Sequence, residues 1–237
     1  MSLLELHSVS KRFGGLVANH EVSFDVQAAQ IVGLIGPNGA GKTTAFNCVA
    51  GYYAPDSGRI VFDGQTLSGL SPQDCARAGV ARTFQVARTF TSMTALDNVL
   101  TAALLRRKRV SAARECAVRW LEFVGLQRLS QRNAGSLTIS EQRRLAVARA
   151  LAIEPRLLLM DEVMAGLNPS EVRDMVQVVL KIRDHGVACL VVEHVLEGIM
   201  PIADKVVVLD RGVKIADAAP GEVSRDPAVL RAYLGDA

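Results

Sequence analysis

Apolar and polar positions along the chain fall into two periods. Short runs rich in β-branched residues, at Leu3–Val9, Val22–Val26, Ile31–Ile35, Arg59–Phe62, Leu157–Met160, Ala188–Val192 and Lys205–Leu209, read as strands. Between them the period lengthens. In Ser170–His185 the residues Val172, Met175, Val176 and Val179 stand at i, i+3, i+4 and i+7, behind a start signal at Pro169–Ser170. Strands alternating with helices predict an α/β sheet. From Ala95 to Ala152 the pattern is helical only, over Ala95–Leu105, Ala112–Val124 and Ser140–Ala152, which predicts a helical subdomain inserted in the α/β chain. No internal repeat, low-complexity tract or long linker interrupts it.

Composition narrows this picture. With 237 residues, 49% hydrophobic and 22% charged, the chain suits one large domain or one carrying a subdomain, and excludes an extended disordered polymer. The net charge of +3 is too small to demand a polyanion, so no nucleic-acid partner is expected. Locally, Arg106, Arg107, Lys108, Arg109, Arg114 and Arg119 against Glu115 give an excess of five positive charges over 101–119. That run reads as a solvated helix face or, alternatively, as a docking or lipid-headgroup surface. Cys48, Cys75, Cys116 and Cys189 form no C-x-x-C pair, which predicts a reducing, cytoplasmic setting. No apolar run nears the ~18 residues that cross a bilayer, so a membrane role would have to come through a partner.

The most informative stretch is Gly36-Pro37-Asn38-Gly39-Ala40-Gly41-Lys42-Thr43-Thr44, which follows the apolar run Ile31–Ile35 and leads into a helix. Strand, Gly-x-x-x-x-Gly-Lys-Thr and helix in this order make a phosphate-binding loop. The glycines let successive backbone N–H groups turn onto phosphate oxygens, and the helix adds its positive N-terminal end. Lys42 would place a point charge between the β- and γ-phosphates, and Thr43 would offer its hydroxyl to Mg²⁺. The expected ligands are a nucleoside triphosphate and magnesium.

A second apolar run, Leu157–Met160, ends in Asp161 and Glu162. Neighbours on a strand point to opposite faces, so the two acids have different tasks. Asp161 is expected in the magnesium shell, and Glu162 is expected to position and polarise the attacking water; strand-end acids can instead cap helices. His194 follows the strand Ala188–Val192, and its imidazole should emerge at the same end of the sheet, in reach of a γ-phosphate.

In this order, these residues resemble the nucleotide-binding subunit of ABC transporters over nearly the whole chain. The resemblance implies a P-loop NTPase head of α/β class with an antiparallel β subdomain and the inserted helical subdomain. The expected division is 1–94 and 153–237 for the two parts of the core and 95–152 for the helical part. It implies that Phe13, in Lys11-Arg-Phe13-Gly-Gly, stacks on adenine, although an N-terminal aromatic taken alone reads as core. It implies that Gln85, in Arg82-Thr-Phe-Gln85, touches Mg²⁺ or the γ-phosphate, and that Ala165-Gly166-Leu167-Asn168 is a dimer-contact loop. Asn168 stands where the family usually has aspartate, and Val163 where it usually has proline. Within the family, Arg12-Phe-Gly-Gly-Leu, Asn38–Asn47 and the tail Asp226–Gly235 are most similar to the ATPase subunits of bacterial importers for branched-chain amino acids. Relatives also serve urea, amides, other hydrophobic solutes or lipopolysaccharide.

One segment departs from the family. Thr138-Ile139-Ser140-Glu141 stands where the signature that clamps the opposite subunit's γ-phosphate reads Ser-Gly-Gly-Gln. Thr138 adds a methyl, Ser140 adds a Cβ where glycine lets the backbone approach phosphate, and Glu141 adds negative charge. With Lys42, Asp161, Glu162 and His194 intact, this predicts two unequal sites in a heterodimer with a second ATPase subunit; a homodimer is the alternative. The resemblance further implies two membrane permease subunits, a periplasmic or extracellular solute-binding protein and a place on the inner face of the cell membrane. A regulatory ATP binder with little turnover is a competing reading. A chromosome or repair ATPase is disfavoured, because the 94 positions from Thr43 to Leu137 hold only a compact helical block.

Overall fold

The computed structural model describes residues 2–83 and 89–234. β1 (Ser2–Phe13) and β2 (Leu16–Gln27) form a hairpin around Gly14, whose φ of 57° suits a residue without a Cβ. β3 (Ile31–Ile35) runs through a loop into α1 (Lys42–Val49). β4 (Ser57–Phe62), β5 (Gln65–Thr66), α2 (Pro72–Ala78) and β6 (Val80–Arg82) follow. Three helices then succeed one another, α3 (Ala95–Ala103), α4 (Val110–Phe123) and α5 (Ile139–Leu151). The chain returns through β7 (Leu157–Asp161), α6 (Pro169–Asp184), β8 (Ala188–Val192), α7 (Leu196–Ile199), β9 (Lys205–Asp210) and β10 (Val213–Ala218) to α8 (Pro220–Val223) and α9 (Pro227–Leu234).

Two sheets result. One is antiparallel, in the order β2-β1-β4-β5. The other is six-stranded, β10-β9-β3-β8-β7-β6, parallel except where β10 turns back on β9. The all-apolar runs explain why β3, β7 and β8 are central: alternate residues feed two different cores. Val32, Leu34, Leu157, Leu159 and Leu190 pack on one side with α1 and the antiparallel sheet. Ile31, Ile35, Leu158, Met160 and Val191 pack on the other with Leu96, Val99, Leu121 and Leu145 of the helical block, so one core runs from the sheet into α3–α5.

Several elements lie outside the predicted set, among them β6, β10 and α2. β6 is three residues at a sheet edge, too short for an alternation to register. β10 is an edge strand carrying Lys214 and Asp217, and its partial exposure removes the apolar run. α2 spans only seven residues and is set by its cap, with Ser71 accepting from the Asp74 N–H at 3.2 Å and Pro72 opening the helix. All four cysteines are buried and free. Among the described residues no helix is long and apolar enough to cross a membrane. Of the basic run, Arg106 donates to the carbonyls of Ile153 and Ala76 and Arg107 pairs with Glu154, so two of the six cations tie the block to its neighbours.

Candidate nucleotide site

The parallel strands β3, β7 and β8 end on the same side, and their C-terminal ends carry Gly36, Asp161 and the loop to His194. The phosphate loop between β3 and α1 is shaped by close backbone approach. Gly36 (φ 145°) and Gly41 (φ 95°) lie in conformations L side chains rarely adopt. A Cβ on Gly36 would stand 2.0 Å from the Leu209 carbonyl oxygen, and one on Gly41 would stand 2.3 Å from that of Ala18. Asn19, fully buried on β2, donates its Nδ2 to the Gly41 carbonyl at 3.1 Å, and Gly212 donates its N–H to the Ala40 carbonyl at 3.0 Å. The loop is thus held from β2 and from the β9–β10 turn. On the tail side, the Gly36 amide faces the Tyr233 hydroxyl of α9, whose pKa burial raises and that amide partly lowers.

Two features make the loop an anion receptor. The N-terminus of α1 has Gly41 as N-cap, no side-chain cap and no acid in its first turn, so its leading amides remain open. Lys42 is buried, with Nζ donating to the carbonyls of Gly36 (2.7 Å) and Pro37 (2.8 Å). Burial lowers its pKa and the carboxylate of Glu162 opposes that shift. The lysine is therefore a fixed charge within the loop rather than a freely swinging one.

At the end of β7, Asp161 is 5% exposed and Glu162 is half-buried. Burial raises the Asp161 pKa, against the lowering effect of Arg82. Glu162 has a left-handed backbone (φ 50°), uncommon for a residue with a side chain, while its N–H donates to Val192 O at 2.9 Å and its carbonyl accepts from Arg143 of α5. The twist separates the two carboxylates. Glu162 Oε1 lies 3.7 Å from His194 Nδ1, and Asp161 Oδ2 lies 3.4 Å from Arg82 Nη2. Next to the histidine, Glu193 is fully buried, and its Oε1 accepts the Met164 N–H at 2.7 Å. Desolvation pushes its pKa to about 7.

A cavity of about 550 Å³ is lined by Phe13, Leu16, Val17, Ala18, the loop from Asn38 to Thr44, Glu162 and Arg211. It has the size of a small-molecule site. Of the expected residues it brings together Phe13, Asn38, Gly39, Ala40, Gly41, Lys42, Thr43, Thr44 and Glu162. Gly36 and Pro37 stand at the root of the same loop, and Asp161 and His194 flank Glu162 without lining the cavity. Phe13 is 41% exposed at the hairpin tip, 5.1 Å from the Tyr53 ring, so it is not a core aromatic. Gln85 lies outside the described residues.

The donor set suits the expected ligands. Open amides, a buried ammonium and a loop too tight for side chains fit a polyphosphate. Among the described residues no group of three or more His, Cys, Asp or Glu could hold a metal alone. Thr43 and Asp161 carry hard oxygens of the kind Mg²⁺ prefers, which phosphate oxygens would have to complete.

Thr138–Glu141 and Ala165–Asn168 stand apart from this cavity, each at a helix start. Thr138 and Glu141 form a capping box on α5: Thr138 Oγ1 accepts the Glu141 N–H at 3.2 Å and Glu141 Oε2 accepts the Thr138 N–H at 2.8 Å. Glu141 is turned back onto its own helix, Ser140 is buried and Ile139 is 64% exposed. Asn168 likewise caps α6, its Oδ1 accepting from Ser170 and Glu171, both at 3.0 Å. Gly166 (φ 73°) turns the preceding loop, where Ala165 and Leu167 are half-buried.

Sequence reasoning passed over Asn19, Arg82, Arg143, Glu193, Arg211 and Tyr233. The signals available were weak: a polar residue at a core position of β2, and an acid immediately after the apolar run of β8.

Comparison with known proteins places these features in a family. Residues 19–165 match the ABC transporter family model, and residues 213–237 match that of the branched-chain amino acid ATP-binding cassette transporter. The chain is 42% identical to the high-affinity branched-chain amino acid transport ATP-binding protein BraF of Pseudomonas aeruginosa, covering 99% of this chain and 98% of the relative. It is 40% identical, with the same coverage, to LivG of Escherichia coli, which has the same description. It is 32% identical to the lipopolysaccharide export system ATP-binding protein LptB of Haemophilus influenzae, covering 100% and 98%. Among solved structures, an ATP-binding cassette of an ABC transporter in its ADP conformation superposes with a TM-score of 0.92 at 30% identity, and a nucleotide-free cassette with 0.90 at 30%, each over the full length of both chains. The chain belongs to the ATP-binding cassette family of ABC transporters.

Proposed function

We propose that the chain hydrolyses ATP in the cavity between Phe13 and Glu162, and that this powers import of branched-chain or other hydrophobic amino acids through partner membrane subunits. The observation that carries the chemistry is the juxtaposition of an uncapped α1 and the buried Lys42 with the strand-end carboxylate of Glu162 across one cavity. The cargo rests on the branched-chain amino acid transport names of BraF and LivG and on the C-terminal family match.

Phe13 would stack on the base, the amides from Asn38 to Thr44 would hold the phosphate oxygens, and Lys42 would release its two carbonyls to meet the β- and γ-phosphates. Thr43, Asp161 and Gln85 would hold Mg²⁺. When bound, that ion neutralises charge on the phosphoryl oxygens. Glu162 orients a water in line with the γ-phosphorus and polarises its O–H bond, and His194 donates to a γ-phosphate oxygen. Cleavage of the bond from the γ-phosphorus to the β–γ bridging oxygen gives ADP and phosphate. Glu162→Gln keeps the shape and removes the charge. ATP affinity by calorimetry should stay within about threefold while phosphate release falls at least about a hundredfold, the scale of general-base loss. Wild-type turnover would remove Glu162 from this role.

The altered segment Thr138–Glu141 supports a heterodimer of unequal sites: Ile139 and Ser140 carry side chains where the family signature has glycine, and the box engages the neighbouring Thr138 and Glu141 N–H groups. A partner with an unaltered signature would complete the site described above, and the helical block 95–152 would carry nucleotide state to two permeases at the inner face of the membrane. A solute-binding protein outside the membrane would deliver the cargo. Co-purification with the membrane subunits, identified by mass, tests this assembly; a stable assembly with two copies of this chain and no second ATPase would favour the homodimer.

A further inference from the structure

Arg82 is the last residue of β6 and reaches three other parts of the fold. Its guanidinium carbon lies 4.9 Å from the ring centre of Phe46 on α1 and 4.7 Å from that of Tyr52 in the turn after α1. Held by these stacks, Nη1 donates to Asn47 Oδ1 at 2.8 Å, Nε donates to Thr83 O at 3.2 Å and Nη2 faces Asp161 Oδ2 at 3.4 Å. Thr83 closes the arrangement, its Oγ1 accepting the Asp161 N–H at 3.2 Å. A planar fork fixed by two aromatic faces can aim a carboxylate in a way that a flexible ammonium cannot.

We propose that Arg82 is a positioning residue for the magnesium carboxylate: it ties Asp161 to α1 and to the root of the segment that carries Gln85, so that the carboxylate is set before the metal-nucleotide arrives. The proposal rests on Asp161 being a metal ligand. Losing an outer-shell partner of a metal ligand typically costs about ten- to a hundredfold in metal affinity.

The test uses the full chain loaded with ATP and titrates Mn²⁺, read by electron paramagnetic resonance, beside ATP affinity measured in chelator. Arg82→Lys keeps the charge and loses the fork; Asn47→Ala removes one anchor and leaves Asp161 untouched. Both should bind metal-free ATP within about twofold of wild type, while Mn²⁺ affinity should fall about tenfold in Arg82→Lys and about threefold in Asn47→Ala. Unchanged or tighter Mn²⁺ binding in Arg82→Lys overturns the proposal, as does an equal loss of metal-free ATP binding. Asp161→Asn separates the two readings. If it loses Mn²⁺ where Arg82→Lys does not, only the role of Arg82 falls; if it too is unchanged, the metal assignment falls with it.

Discussion

Two helix starts in this molecule face opposite ways chemically. α1 begins with Gly41 at φ 95°, no capping side chain and no acid in its first turn; α5 begins with Thr138 and Glu141 in a reciprocal box that bonds the N–H groups of both. Both would meet a γ-phosphate in a closed pair of ATPase subunits. A helix end receives an anion through amides that are free: α1 offers all of its leading ones, whereas at α5 the box holds the Thr138 and Glu141 amides and leaves those of Ile139 and Ser140 to meet a phosphate. In the proposed heterodimer the two halves would therefore differ in which donors are already occupied, as well as in charge and in the Cβ of Ser140.

The largest effect comes from making α1 resemble α5. Thr44 is the third helical residue of α1, as Glu141 is of α5, and Thr44→Glu places an acid about 6 Å from the bound phosphates. At an effective dielectric of ~20 the repulsion is about 3 kcal/mol per unit charge, or roughly a hundredfold in ATP affinity. Thr44→Gln, which copies the bulk without the charge, should lose much less. Equal affinities in calorimetry would break the comparison.

A second test lies at the seam where α5 meets the strand ends. Glu193 sits there among the Met164 amide, Arg143 and Glu162, with its pKa raised from 4.5 to about 7 by burial. In the unfolded chain it loses its proton near 4.5, whereas the folded chain keeps it to about 7. Stability attributable to this group is therefore full below pH 4.5, declines as pH rises through 7 and stays lost above. Glu193→Gln should flatten that decline, so that its urea midpoint exceeds that of wild type at pH 8 by more than at pH 5. Parallel pH profiles would remove Glu193 as the source.

Opening α5 should cost less. Thr138→Ala and Glu141→Ala each remove half the box, and each should destabilise by about 1 kcal/mol in urea unfolding. In the assembled transporter, Glu141→Ala, which cannot close the box, should raise stimulated turnover a few-fold; unchanged turnover would show that the self-capped end does not limit the trans contact. The smallest effect is expected at Asn168→Asp. The two residues cap about equally, and the added charge at the α6 N-terminus contributes only about 0.3–1 kcal/mol.

The same contrast explains how much could be read from the sequence. β3, β7 and β8 were legible because each is apolar at every position, and the loop after β3 was legible because backbone needs at Gly36 and Gly41 leave glycine as the residue that fits. Phe13 was placed by resemblance, and the structure puts it in the cavity with the loop. What stayed hidden depends on contacts between distant residues. Nothing in Thr138-Ile-Ser-Glu141 alone announces whether Glu141 points outward or back to Thr138, although the spacing is that of a capping box. Asn19 and Arg82 became visible only when β2 and β6 were seen against the ends of β3 and β7. Edge strands such as β10 lose their signature because solvent is one of their neighbours.

The packing around Gly198 has one further consequence. A Cβ on this residue would lie 2.4 Å from Met164 Sδ, and the neighbouring Glu193 grips the Met164 amide. These contacts link the histidine-bearing turn to the stretch leading to Asn168. In the proposed dimer, withdrawal of His194 from a cleaved phosphate would carry with it the loop facing the other subunit, so that release in one pocket would be felt mechanically in its neighbour.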